Sequence, residues 1–310
     1  MSFYKYTSIS TANIVLKNKS LRWSSPVLFN DLEECQYTPF TKDQYLSAFE
    51  KYIEILTQCA KGQSHYDTTK FSDVTQLTIR VMQLSMQSGT FDVKGIAESM
   101  LSMSTNFDSD YRDYINKALI RCFRILCVTG RYDNNLMWAH YADQHNGCVI
   151  ELEQLYVEEP RLLRQNHVRY HENLEPLSNP IDMLLYGETK EIRDLMIKDV
   201  IFSKRTNWSY EEEYRLLFSE SFGEITTTLD TQTKEKKLDI KYQSESLFTD
   251  VNIPKESIKS IIFGARTSSE DIENIEKTLS ENDYVIDLYQ MKMIDGKLLK
   301  EKLIFSDSEI

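Results

Sequence analysis

The spacing of hydrophobic and polar residues divides the chain into short strands and amphipathic helices. Residues 3–6 are rich in aromatic side chains and predict a strand, and residues 21–24 predict a second strand that ends at Pro26. A short helix is expected between these strands, through residues 14–16, with Ser10 or Thr11 as its cap. The N-terminal region is therefore predicted to be a strand, a helix and a strand.

Residues 41–120 have the pattern of helices rather than strands. Thr41, with Gln44 three residues later, predicts a capping box at the start of a helix, and apolar residues then recur at helical spacing. Two further helices are predicted, one through residues 71–82 and one through residues 108–123. We therefore interpret 41–120 as a helical insertion.

The rest of the chain, residues 1–40 and 121–310, is expected to form one α+β core domain around a central mixed or antiparallel sheet. Its elements are short and do not alternate regularly, which favours α+β over a doubly wound parallel sheet. The Asp295-Gly296 dipeptide predicts a closing hairpin. The predicted strands are 125–128, 148–152, 210–218, 238–242 and 258–263, and the predicted helices are 133–141, 188–203 and 268–281.

Composition and charge narrow the class of protein. The 310 residues are 41% hydrophobic with 9 Gly and 6 Pro, which is typical of a globular chain rather than a linker or a fibre. No apolar stretch is long enough for a membrane helix and the first residues do not resemble a signal peptide, so we expect a soluble, cytoplasmic protein without membrane contact. The net charge of −12 disfavours a broad basic face for nucleic acid.

Several sequence motifs of well-known enzymes are absent. The chain contains no GxxxxGK[ST], GxGxxG, HExxH or GxSxG segment. His140 and His145 are five residues apart, so they miss the helix face that a pair of metal-ligating histidines shares. The five cysteines are odd in number and widely spaced, which predicts free thiols in a reducing compartment. No metal site is expected from these residues.

Three segments each contain one of the three tryptophans together with unusual polar residues. These segments, and the order in which they occur, resemble the motifs of an uncharacterised bacterial family, DUF2971, over roughly residues 3–264. That resemblance implies no activity, because the label of the family states none. The segments are Tyr4-Lys5-Tyr6 with Arg22-Trp23-Ser24-Ser25-Pro26 and Phe29-Asn30-Asp31, then Trp138-Ala139-His140-Tyr141-Ala142, then Trp208-Ser209-Tyr210-Glu211-Glu212-Glu213-Tyr214-Arg215.

The same segments are also similar to the motif order of ADP-ribosyltransferases, in which a Glu-x-Glu pair stands on a late strand. The resemblance implies an ADP-ribosyltransferase-like core with NAD as substrate, Glu213 as the catalytic acid and Glu211 as its auxiliary. Lys5 stands where these enzymes place His or Arg. The implied context is a bacterial toxin or an anti-phage defence effector, with a protein or nucleic-acid acceptor and a partner protein or antitoxin.

The residues themselves indicate compatible chemistry. Strand alternation would place Glu211, Glu213 and Arg215 on one face, at steps of about 7 Å, and a hydrophobic core would reject this charged group. Cleavage of a nicotinamide–ribose bond passes through an oxocarbenium-like state, which one carboxylate can stabilise while a second orients the acceptor. The candidate NAD-binding residues, chosen as stacking rings, cations and polar groups, are Lys5, Tyr6, Arg22, Ser24, Trp138, Tyr141 and Arg215.

Structural roles and other function classes remain open. Glu211 and Glu213 are also compatible with a solvated strand face, and Trp138 with simple core packing. One rival function is a non-catalytic module that binds a nucleotide or a protein. The other is a metal-dependent nuclease that uses the two glutamates with Asp31 or Asp143. We favour the enzyme acting on NAD; its acceptor does not follow from the sequence.

Overall fold

A computed structural model describes residues 2–35, 40–92, 94–95, 98, 120–153, 161–173, 176–229 and 236–304 of the chain. Over these residues the protein is an α+β structure, as the sequence predicts. The helices are α1 (Ile9–Asn18), α2 (Lys42–Ala60), α3 (Asp73–Gln87), α4 (Asn135–Tyr141), α5 (Pro180–Tyr186), α6 (Lys190–Ile201) and α7 (Ser269–Glu281). The strands are β1 (Ser2–Thr7), β2 (Ser20–Ser24), β3 (Phe123–Thr129), β4 (Cys148–Glu153), β5 (Leu162–His167), β6 (Arg169–His171), β7 (Ser203–Arg205), β8 (Glu213–Ser219), β9 (Phe222–Leu229), β10 (Lys236–Tyr242), β11 (Phe248–Asn252), β12 (Ile258–Phe263), β13 (Asp287–Ile294) and β14 (Lys297–Lys302).

The central sheet has ten strands and is mixed. Eight strands follow the order β11-β2-β3-β1-β4-β12-β13-β14, while β8 pairs with β3 and β5 pairs with β8. The pair β12–β13 is parallel and is joined through α7, whereas the other pairs of this sheet are antiparallel. Two small ribbons stand apart, the antiparallel pair β9–β10 and the parallel pair β6–β7. The sheet therefore brings the N-terminal strand between β3 and β4 from the middle of the chain.

The strand β8 of the central sheet is buried on both faces. Leu216 and Phe218 of β8 pack in a cluster with residues of α1 and α7, whereas Leu217 between them packs in a second cluster with residues of α6. This alternation is what a strand buried on both faces produces. The core therefore has helices on both sides of the sheet. Where no helix covers the end of a strand, the residues at that end can line a cleft.

The described part of segment 41–120 contains α2 and α3, which pack against each other and against α5 through Leu185. The predicted capping box is present. The Thr41 hydroxyl accepts from the Gln44 backbone N–H, and the Gln44 side-chain oxygen accepts from the Thr41 backbone N–H. Most of the helix predicted at 108–123 lies outside the described residues. Its last residue, Phe123, begins β3 instead and pairs with Ser219, so that boundary is wrong. The division into core and insertion stays a prediction.

Local turn chemistry matches the sequence at the end of the chain. Asp295 and Gly296 join β13 to β14, and both have positive φ angles, 49° and 75°. Two left-handed residues in a row are what a tight hairpin turn of the primed type needs, and Asp-Gly supplies them at low steric cost. All five cysteines are free thiols, as predicted. No helix in the described ranges has the length and apolar character needed to cross a membrane.

Candidate functional site

A cleft of about 390 Å³ opens where the three tryptophan-containing segments converge. Sequence positions more than 200 residues apart meet here, because β1, β2, β3 and β8 are neighbours in the central sheet. Pockets of this size hold small ligands in other proteins. Of the candidate catalytic and NAD-binding residues, those that line the cleft are Lys5, Tyr6, Arg22, Ser24, Tyr141, Glu211 and Glu213.

The sheet register explains how the N-terminal strand reaches Glu213. Tyr4 of β1 pairs with Thr129 of β3, and Thr129 pairs with Glu213 at the start of β8. These three residues form one row across three strands, and the row lies at the cleft wall. The first and the last of the recognised segments therefore meet through backbone pairing with β3.

Glu211 and Glu213 both point inward, but not because they share a regular strand. Residues Thr206–Glu211 form a 3-10 helix, and β8 begins only at Glu213, so the predicted strand start at Tyr210 is wrong. Glu212 between them has left-handed backbone, with φ 43°, and its side chain is exposed. Left-handed backbone in a non-glycine residue is strained, and such strain concentrates at functional sites. The kink turns both carboxylates into the protein.

Glu213 belongs to a buried ion-pair network rather than to a solvated strand face. Its two carboxylate oxygens accept from Arg215 Nε at 2.9 Å and from Arg215 Nη2 at 2.7 Å, which is a bidentate pair. Arg215 is fully buried and also pairs with Glu34, while its Nη1 donates to the Ile201 carbonyl. Arg215 therefore does not line the cleft; it supports Glu213 from behind.

Glu211 is held from two sides at the cleft floor. Its Oε2 accepts from Lys204 Nζ at 2.7 Å, and its Oε1 accepts from the Tyr141 hydroxyl at 2.6 Å. Tyr141 lies at the end of α4 and its hydroxyl also accepts from Asn30. These bonds fix the carboxylate in one orientation and join the second recognised segment to the third.

The network contains three carboxylates and two cations at its centre, Glu34, Glu211 and Glu213 with Lys204 and Arg215. Burial raises the pKa of Glu213 to about 7; the charge of Lys204 opposes this shift and that of Glu211 adds to it. Burial alone would lower the pKa of Lys204, but the charges of Glu213 and Glu211 outweigh burial and raise it. The site thus holds an acid that titrates near neutrality beside a lysine that stays charged.

The aromatic candidates have different positions. Tyr6 lines the cleft although it is nearly buried, and its ring contacts the edge of Trp138 at 5.2 Å between centroids. Trp138 is fully buried, donates its indole N–H to the Tyr132 carbonyl and does not line the cleft. Trp138 therefore packs behind Tyr6, which lines the cleft, and its own ring is not accessible to a ligand.

The basic candidates lie at two levels of the cleft. Lys5 lines the wall and donates to the Cys127 carbonyl at 2.9 Å. Arg22 lines the rim, where it pairs with Asp250 and stacks on the Phe248 ring at 3.7 Å. An anionic ligand would meet Arg22 at the entrance and Lys5 further inside.

Two residues of the network were not identified from the sequence. Glu34 follows β2 in the turn after the Phe29-Asn30-Asp31 run, and Lys204 lies on the short strand β7. Neither stands in a recognised spacing with the Glu-x-Glu pair. Their common signal is a charged residue next to apolar neighbours, Glu34 before Cys35 and Lys204 two residues after Phe202, which is weak evidence of burial.

The two aspartates named for a metal-dependent nuclease do not join Glu211 and Glu213 in the cleft. Asp31 lines a neighbouring cavity of about 320 Å³, which shares only Glu34 and Lys204 with the cleft. Asp143 lies in the turn after α4 and lines neither cavity. In the described part of the chain, no three His, Cys, Asp or Glu side chains are grouped as metal ligands would be.

Comparison with known proteins identifies one family. Neither the curated proteins nor the solved structures contain a match to this chain, so the resemblance to ADP-ribosyltransferases gains no support from them. The sequence model of one family matches residues 137–216, which contain Tyr141, Lys204 and the Glu-x-Glu pair. Residues 137–216 are accordingly a domain of the DUF2971 family, whose description is a protein of unknown function.

Proposed function

We propose that the cleft binds NAD and that the protein is an ADP-ribosyltransferase-like enzyme that breaks the nicotinamide–ribose bond. The observation that carries the proposal is the convergence of Glu211 and Glu213 with Tyr6, Lys5 and Arg22 around one cleft. Glu211 lies at its floor, Glu213 and the Tyr6 ring lie on its wall, and the two cations lie at its wall and rim. This set of residues suits a substrate with a reacting ribose, a flat base and a pyrophosphate.

The two carboxylates suit different steps. Glu213 is held rigidly by Arg215, so its oxygens can stabilise positive charge that develops on the ribose when nicotinamide leaves. Glu211 is bonded to the Tyr141 hydroxyl, which faces the same cleft and can relay a proton when an acceptor attacks. The bond that breaks joins C1′ of the ribose to the nicotinamide nitrogen; the bond that forms joins C1′ to the acceptor or to water.

A binding module is the second candidate, and one observation favours it. Both oxygens of Glu213 are engaged by Arg215, and both oxygens of Glu211 are engaged by Lys204 and Tyr141. Carboxylates that are fully bonded in this way can shape a pocket without reacting. In that case the protein would bind a nucleotide and release no nicotinamide.

Substitution of Glu213→Gln distinguishes the two candidates, with Glu212→Gln as the matched control. Glu212 is the adjacent glutamate, but its side chain is 52% exposed and pairs with Arg131 outside the cleft. For an enzyme, we expect the Glu213 variant to bind NAD but to lose about 100-fold or more in nicotinamide release, while the Glu212 variant matches the wild type. NAD binding without nicotinamide release by the wild type would establish the binding module instead.

A further inference from the structure

Two adjacent cations on β7 have different surroundings. The side chain of Lys204 is 4% exposed and contacts three carboxylates, whereas the side chain of Arg205 is 56% exposed and pairs with Glu33 at 2.6 Å. Strand alternation explains the difference, because successive side chains point to opposite sides. Lys204, the inward cation, therefore belongs to the buried network of the cleft.

The distances show which carboxylates depend on Lys204. Its ammonium lies 2.7 Å from Glu211 Oε2, 3.2 Å from Glu34 Oε2 and 3.8 Å from Glu213 Oε2. Arg215 already neutralises Glu213 and Glu34, but no contact of Arg215 with Glu211 is present among the described residues. Lys204 is thus the cation that balances the charge of Glu211 and sits between the two members of the acid pair.

We propose that Lys204 is a positioning residue for the acid pair: it favours the ionised form of Glu213 beside Glu211 and holds Glu211 in the orientation that faces the cleft. The inference rests on the proposed function, since it assigns Lys204 a part in the same reaction. Lys204 lines the cleft but acts through the carboxylates, because its ammonium is engaged by all three of them; it also lies 4.5 Å from the Trp208 ring centroid.

Electrostatics gives the reason. Two buried carboxylates that share one site repel each other, so one of them takes up a proton unless a cation stands between them. Lys5 and Arg215 have other principal partners, the Cys127 carbonyl and the Glu213–Glu34 pair. The titratable or charged groups that face the pair from the surrounding elements are Lys5, Glu34, Cys35, Cys127, Tyr141, Tyr170, Lys204, Tyr210 and Arg215.

The experiment compares Lys204→Met, Lys204→Arg and, as the matched control, Arg205→Met. Nicotinamide release from NAD is measured from pH 5 to pH 9, and the Glu213 carboxyl carbon is titrated by NMR in protein labelled at glutamate. In Lys204→Met we expect the acidic limb of the rate profile and the carboxyl titration to move together by about one pH unit or more to higher pH. In Lys204→Arg and Arg205→Met both should stay within about 0.3 pH unit of the wild type.

Each result decides the proposal. A Lys204→Met protein that loses rate equally at every pH, with an unchanged carboxyl titration, would show a merely structural lysine and overturn it. If Lys204→Met does not fold, Lys204→Gln replaces it, since it also removes the charge: a shift of about one pH unit to higher pH supports the proposal, and an unmoved titration contradicts it. If the wild type releases no nicotinamide, the proposed function fails, and the carboxyl titration alone still decides whether Lys204 favours the ionised form of Glu213.

Discussion

The pairs Glu34–Lys204 and Glu33–Arg205 consist of adjacent glutamates bonded to adjacent cations, yet their environments are opposite. In the first pair both side chains are at most 4% exposed, and in the second they are 65% and 56% exposed. The turn after β2 presents one glutamate inward and one outward, and the strand β7 presents one cation inward and one outward. The same residue types therefore form a candidate active site on one side and an ordinary surface contact on the other.

Burial changes what such a pair does. An exposed ion pair contributes about 0–1 kcal/mol, because water screens it and two flexible side chains must be ordered. A buried network costs free energy to desolvate, so its presence is weak evidence for stability and better evidence for a site whose charges are used. The following variants test that difference, from the largest expected effect to the smallest.

Arg215→Met should have the largest effect on stability. It removes one of the two cations that contact the buried Glu34 and Glu213 and the only bidentate partner of Glu213 among the described residues, and breaking a buried pair in this way costs about 3–5 kcal/mol. Urea denaturation followed by circular dichroism measures the free energy of unfolding. A loss no larger than that of Arg205→Met would mean that the Arg215 network is worth no more than a surface pair.

Stability should also depend on pH through Glu213. Its pKa is about 7 in the folded protein, above its ordinary value of 4.5, so the folded state holds the proton more tightly than the unfolded chain. The stabilisation is fully present below pH 4.5 and is lost as pH rises to about 7. We expect the free energy of unfolding of the wild type, relative to Glu213→Gln, to fall by about 1–3 kcal/mol between pH 4.5 and pH 8. A difference that is flat or rises with pH would show that Glu213 is ionised throughout.

Tyr141→Phe should have a smaller effect. It removes the 2.6 Å hydrogen bond to Glu211 and keeps the ring in the cleft, which costs about 1 kcal/mol of stability. If the hydroxyl relays a proton, kcat for nicotinamide release should fall more than KM rises. Equal kcat values for variant and wild type would leave the hydroxyl with a structural role alone.

The smallest effect should come from the exposed pair. Arg205→Met and Glu33→Gln each remove a surface contact, so the free energy of unfolding should change by about 0.5 kcal/mol or less. Thermal and urea unfolding of both variants measure it. A loss of several kcal/mol would mean that the exposed pair contributes as much to the free energy of unfolding as the buried network, so burial would not distinguish the two pairs.

Elements encoded by local signals could be predicted from the sequence. The capping box at Thr41, the Asp295-Gly296 hairpin and β12 at 258–263 all match the structure, because each depends on residues within one turn or one strand. The α+β class followed from the irregular order of such elements. In contrast, the strand expected from Tyr210 begins at Glu213, since the Trp208-Ser209-Tyr210 run forms a 3-10 helix whose Tyr210 carbonyl accepts from Asn134.

The candidate site was only partly predictable for the same reason. Glu211, Glu213 and Tyr141 stood out because their segments are unusual, and the structure brings them to one cleft. Glu34 and Lys204 carry only a weak local signal, because their role exists only after β2 and β7 have been placed beside the Glu-x-Glu turn. A pattern along the chain identifies unusual residues, but it does not show which distant charge balances them.

Proton NMR of NAD mixed with the protein tests the central claim most directly, because one sample reports both binding and bond cleavage. For the wild type we predict saturation transfer from protein to the NAD base protons, followed by the growth of free nicotinamide signals. For Glu213→Gln we predict the same saturation transfer without free nicotinamide. Free nicotinamide appearing at the wild-type rate in the Glu213→Gln sample, or no saturation transfer to NAD in either sample, would contradict the account.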